Sequence, residues 1–154
     1  MSSSEATAIA LTDLPSMVGK HLGHSDWHTV DQEQINRFAD ATGDHQWIHV
    51  DAERAKSGPF GTTIGHGYLT LSLAPIFICQ SLKVEGAKLD VSYGLGKVRF
   101  PAPVPSGSRV RMGAEIGAVE PVSGGLQVTL NATFEIDGQP KPACVAEILF
   151  RYYE

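Results

Sequence analysis

Cysteine is scarce in this sequence: Cys79 and Cys144 are the two in 154 residues. Both sit in apolar stretches, IFICQSL and PACVAEIL, with no CxxC pair and no metal-type spacing. They read as buried, reduced thiols, not as a disulfide framework or a thiolate metal site. Basic residues are also in the minority, 12 Lys and Arg against 17 Asp and Glu, for a net charge of -5. Broad binding to nucleic acid or to an anionic membrane needs clustered cations to displace counterions, and the balance here runs the other way. No apolar run reaches the length of a membrane span. The opening MSSSEATAIALTDLP has no basic segment and no long apolar run, so it does not read as a signal peptide. These absences point to a cytoplasmic enzyme or small-molecule-binding protein, with no nucleic-acid or membrane partner.

What is present fits one domain over residues 1–154, with 42% hydrophobic and 19% charged residues. The first dozen residues, 1–12, are expected to be loosely ordered. TVDQEQINRFADAT, from Thr29 to Thr42, reads as a helix: Asp31 can cap it with Gln34 three residues on, and Ile35, Phe38 and Ala39 share a face. Gly43 ends it. Asp51 to Ser57 could make a second, short helix. HGYLTLSLAPIFICQSL, residues 66–82, is the most apolar stretch and predicts a helix buried nearly all round, with Pro75 as a kink or break. After Leu82 the texture changes to four strand-like segments separated by Gly, Pro and Ser turns. Within one of them Val128, Leu130, Ala132, Phe134 and Ile136 alternate with polar residues, the period of a strand with one buried face. Helices first and four strands after make an α+β domain, its sheet antiparallel and covered by the apolar helix.

Titratable groups concentrate in one region: Asp44, His45, His49 and Asp51, then His66 between two glycines. Asp44 and His49 follow a helix-ending glycine, so they lie on a turn, where rigid scaffolds commonly present catalytic groups. A carboxylate and an imidazole can share one water and move its protons, which is what addition of water to an activated double bond requires. Against this stands the ordinary use of Asp and His in a solvated, turn-stabilising loop. Metal binding is the other functional reading, since His45 and His49 are spaced i,i+4 with Asp44, Asp51 and His66 as further ligands. That spacing needs a helix, which Gly43 and Gln46-Trp47 disfavour, so no metal is expected. Ile64-Gly65-His66-Gly67-Tyr68 opens the apolar helix, and unpaired N–H groups there could stabilise an enolate oxygen. Glycine at 67 would let a carbonyl approach the backbone. Its alternative is a plain loop-to-helix turn.

Taken together the pieces resemble a known family. Phe38-Ala39-x2-Thr42-Gly43-Asp44-His45-Gln46-Trp47-Ile48-His49 is similar to the hydratase motif of the MaoC-like, (R)-specific enoyl-CoA hydratases, Gly-Asp-x-Asn-Pro-x-His. Gly58-Pro59-Phe60-Gly61, Ile64-Gly65-His66-Gly67 and Val98-Arg99-Phe100-Pro101-Ala102-Pro103-Val104 match downstream, in order. Gln46-Trp47 replaces the usual Asn-Pro, which resembles the nodulation-protein-N-like branch. Pro75 stands where some members carry a hydroxyl that supports the catalytic Asp, leaving Ser72 to be tested in that role.

The resemblance implies a hot-dog fold, an antiparallel sheet wrapped round a long helix. It implies (R)-specific hydration of trans-2-enoyl-CoA, with Asp44 and His49 catalytic and the Gly67 amide as oxyanion hole. Gln46, His66, Tyr93 and Gly94 are the expected substrate-binding residues, the last two in a VSYG turn. Trp47 is expected to reshape the acyl pocket. No cofactor is expected, and the partners implied are an acyl-CoA substrate and a second copy in a homodimer. A hot-dog acyl-CoA thioesterase and a non-catalytic acyl-CoA-binding module are the competing functions.

Overall fold

A computed structural model describes residues 5–154. The chain begins with β1 (Thr7–Ala10), a 3-10 turn (Leu11–Met17), β2 (His21–His24) and β3 (His28–Val30). Residues 5–12 are therefore not the loose segment expected. Strand β1 pairs in parallel with β5 (Leu82–Glu85), and Ile9, Leu11 and Leu14 are buried in the core. Residues 1–4 of the segment expected to be loose lie outside the described residues.

Helix α1 (Gln32–Thr42) starts three residues later than its sequence pattern, because His28–Val30 pairs with a strand instead. Its N-cap is Asp31, whose Oδ1 accepts the Gln34 N–H at 2.8 Å. Its C-cap is Gly43, left-handed at φ 84°, with its N–H donating to the Ala39 carbonyl. Two short helices follow, α2 (Trp47–Val50) and α3 (Ala52–Lys56), then β4 (Ile64–Gly65).

The apolar stretch is two helices, not one: α4 (Gly67–Ser72) and α5 (Ala74–Ser81), broken at Leu73. Pro75 in the first turn of α5 has no N–H to donate backward, which permits the break the sequence marks there. Nor is the pair buried all round. Ala74, Phe77, Ile78 and Ser81 are buried, whereas Ile76 is 52% exposed and Tyr68 71%. The sheet covers one side of the helices only. Cys144 is buried as expected, and burial pushes its thiol up to about 11. Cys79 is exposed, contrary to the sequence reading.

The four expected strands all form: β6 (Leu89–Arg99), β8 (Ser108–Val122), β9 (Gly125–Ile136) and β10 (Cys144–Tyr153), with the short β7 (Val104–Pro105) pairing with β4. The main sheet is antiparallel in the order β2-β8-β9-β10-β6, with β3 also along β8. Val128, Leu130, Ala132, Phe134 and Ile136 are all buried, as their alternation predicts. They meet the helices through contacts such as Phe77 against Phe134, with ring centroids 6.1 Å apart. An antiparallel sheet curved over a central helical segment is the hot-dog fold.

Candidate active site

The site is built where α1 stops. Gly43 turns the chain, and Asp44 opens a tight turn in which its Oδ1 accepts the Gln46 N–H at 3.3 Å. That leaves Oδ2 4.0 Å from His49 Nε2 and 3.9 Å from His66 Nε2. His49 comes from α2, not from the turn the sequence predicts, because the chain winds one helical turn from Trp47 to Val50, and its Nδ1 lies 2.8 Å from the Ile64 carbonyl. A carbonyl can only accept, so Nδ1 carries the hydrogen, and in the neutral ring Nε2 keeps its lone pair. His66 is locked in the opposite tautomer, because its Nε2 donates to the Asp44 main-chain carbonyl at 3.0 Å. The two imidazoles stack with centroids 3.8 Å apart at 23°, and Phe38 packs against the His66 ring at 4.8 Å. Asp44 is about half exposed, while both histidines are buried.

A separation of 4.0 Å is too long for a hydrogen bond between Asp44 and His49 and suits one bridging water. Such a water meets a carboxylate oxygen on one side and an imidazole nitrogen on the other. Asp44, His49 and His66 also place one ligand-type atom each within 4.8 Å of the others. The arrangement fits a metal poorly, because His66 Nε2 already carries a hydrogen bonded to Asp44. Imidazoles that share a metal hold it in both ring planes, which face-to-face rings do not offer. His45 lies outside the cluster: it bonds Asp40 at 2.9 Å, which raises its pKa. Asp51 caps α3 by accepting the Arg54 N–H.

Gly67 is the first residue of α4, where an amide has no acceptor within the helix. Gly67 and His49 line one cavity of about 310 Å³, walled by Phe60, Ile64, Thr70, Phe100 and Val104. A Cβ at position 67 would come within 3.1 Å of the Phe100 ring, so that ring's close packing is one reason for glycine here.

The remaining sequence candidates are dispersed. Gln46 reaches Asp44 through its main-chain N–H, as the N-cap of α2. Tyr93 and Gly94 are not in a turn but in the middle of β6, because the ladder to β10 continues past them with a bulge. They line a different cavity, of about 460 Å³, with Leu71, Pro75 and Phe150, and the structure does not bring them to the Asp44–His49 pair. Trp47 does not line the His49 cavity. Its indole lies over Gly58, where a Cβ would meet it at 2.9 Å, with the Arg54 guanidinium 4.3 Å from the ring centroid. Ser72 donates to the Tyr68 carbonyl and lines the second cavity, so it does not support Asp44.

Sequence reasoning missed Gln32, whose Nε2 donates to the His49 carbonyl at 2.7 Å and whose Oε1 accepts from Thr63. These partners are 17 and 31 residues away, and no local pattern marks them. Phe38 and Phe100 stood in the motifs without a role.

Residues 13–134 match the MaoC like domain family. The chain belongs to that family. It is 56% identical to 3-hydroxyacyl-thioester dehydratase Z of Mycobacterium tuberculosis, over 93% of this chain and 95% of that one. It is 44% identical to nodulation protein N of Rhizobium leguminosarum bv. viciae, over 90% and 88%. That likeness agrees with the branch read from Gln46-Trp47. Among solved structures, an (R)-hydratase from A. caviae superposes with a TM-score of 0.72 at 23% identity, covering 86% of this MaoC-like chain and 94% of the other. At that identity the likeness shows the fold alone.

Proposed function

We propose that this protein adds water reversibly to a trans-2-enoyl-CoA, giving the (3R)-3-hydroxyacyl-CoA. The observation that carries the reading is the spacing of Asp44 Oδ2 and the bare His49 Nε2, 4.0 Å apart, beside a cavity that also holds the Gly67 amide. The pair holds one water. As its oxygen bonds to C3, the pair takes one proton, and the C2=C3 electrons move towards the thioester carbonyl. The enolate oxygen is met by the Gly67 N–H. The pair then returns a proton to C2, two coupled groups sharing the work. The reverse reaction dehydrates the hydroxyacyl ester by the same steps.

A thioester hydro-lyase is supported by the relative at 56% identity, which is named a 3-hydroxyacyl-thioester dehydratase. The choice of a CoA ester, the (R) product and a cytoplasmic setting follow the sequence reading. No helix among the described residues is long and apolar enough to cross a membrane. A homodimer belongs to the same reading. Among the described residues strand β6 pairs with β10 alone, and it exposes Leu89, Val91, Tyr93 and Leu95.

The test follows the conjugated thioester absorbance of crotonyl-CoA and a longer enoyl-CoA, with a carrier-protein thioester alongside. Wild type should turn over the CoA esters, and an (R)-specific dehydrogenase should oxidise the product. Asp44→Asn and His49→Ala should each lose about a hundredfold or more in kcat. Release of free thiol with the double bond intact would make the protein a thioesterase. Binding of the ester without turnover would make it a binding module.

A further inference from the structure

His66 is 3% exposed, with Phe38 and His49 packed against its ring. A side chain so enclosed has little surface to offer a substrate, so the substrate-binding role expected for it does not suit its place. Its Nδ1 is buried and has no hydrogen-bond partner, an acceptor withdrawn from water without compensation. An apolar side chain would fill the same slot without that cost. What an apolar side chain would not supply is the Nε2–H.

That hydrogen holds the Asp44 main-chain carbonyl at 3.0 Å. The other hydrogen bonds of Asp44 are weaker and local: its N–H to Thr42 Oγ1 at 3.4 Å and its Oδ1 to the Gln46 N–H at 3.3 Å. Among the described residues, His66 supplies the one hydrogen bond that reaches Asp44 from a distant part of the chain, 22 residues on. The same ring backs His49, which the Ile64 carbonyl fixes at its other end. One buried imidazole thus touches both members of the proposed pair.

We propose that His66 is a positioning residue for the hydration reaction, its Nε2–H holding the Asp44 backbone so that the carboxylate keeps its water-bridging distance from His49. The inference rests on the hydro-lyase reading above. Displacing a catalytic group by about 1 Å can cost on the order of a hundredfold in rate, and the exposed turn after Gly43 has little else to prevent it.

Three variants separate the hydrogen bond from the packing. His66→Gln places an amide N–H near the Nε2 position, His66→Asn is too short to reach Asp44, and His66→Phe keeps a ring but has no donor. With crotonyl-CoA, His66→Gln should keep kcat within about fivefold of wild type. His66→Asn and His66→Phe should fall about thirty- to a hundredfold, with KM within about twofold for all three. Thermal unfolding midpoints are read alongside. If His66→Phe does not fold, the Gln and Asn pair decides. A His66→Gln as slow as His66→Asn would overturn the proposal, as would a raised KM at unchanged kcat, which marks a substrate contact. A wild type without turnover sinks the hydration reading and this inference with it. An active wild type with indifferent variants sinks only this one.

Discussion

At the scale of single residues, the site depends on which atom carries a hydrogen. Two buried histidines sit face to face, and main-chain carbonyls lock them into opposite tautomers: His49 through Ile64 and His66 through Asp44. Only His49 is left with a bare Nε2 near the carboxylate. Gly67 shows how sequence and structure assign different reasons to one residue. A glycine before an apolar helix reads as room for a substrate carbonyl, whereas here a Cβ would also press on Phe100 at 3.1 Å. Phe100 is 41% exposed, so its ring can yield. Gly67→Ala should therefore fold with a midpoint shifted by no more than a few degrees, while kcat/KM on crotonyl-CoA falls about tenfold or more. Adding Phe100→Ala should restore part of that loss if the ring is what the new methyl disturbs. Equal activity in the single and double variants would put the damage at the amide instead.

At the scale of elements, the caps were legible because they are local. Asp31 with Gln34, and Gly43 after Thr42, declare their geometry within four residues. The start of α1 was not, since Thr29 and Val30 are claimed by β8, whose residues lie some eighty positions away. The break between α4 and α5 was legible as Pro75, but the one-sided burial was not, because the apolar residues of the stretch follow no clean helical period. Helix α5 docks on the sheet mainly through Phe77, which is 1% exposed against Phe134. Phe77→Ala should lower unfolding stability by about 3–5 kcal/mol in urea titration, the range for emptying a buried aromatic site. The conservative Phe77→Leu should lose clearly less.

At the scale of the whole molecule, the sheet is closed on one side and open on the other. Strands β2 and β3 pair with β8, and β1 with β5, yet β6 presents eleven residues with a single neighbour among the described residues. Leu89, Val91, Tyr93 and Leu95 stand exposed along it, and the Arg151 guanidinium lies over the Tyr93 ring at 3.4 Å. A long apolar edge in water favours pairing with another chain. Sedimentation velocity at micromolar concentration should show a dimer, and Leu89→Lys with Val91→Lys should shift it towards monomer. A wild-type monomer, or a dimer indifferent to these charges, would remove β6 as the interface.

By itself the sequence determined the strands from Leu89 onward, the caps of α1 and the turn at Asp44, while His49 belongs to a short helix the sequence did not mark. The strands, the caps and the turn follow from alternation, spacing or backbone preference within a few residues. Only the tertiary structure decided that His66 backs His49 and holds Asp44, that Gln32 holds the His49 backbone, and that Phe100 covers Gly67. It also moved Tyr93 and Gly94 away from the pair and Trp47 onto Gly58. Those relations join residues far apart in the chain through packing and long-range hydrogen bonds. Such contacts exist once the sheet has closed over the helices, and no local pattern records them.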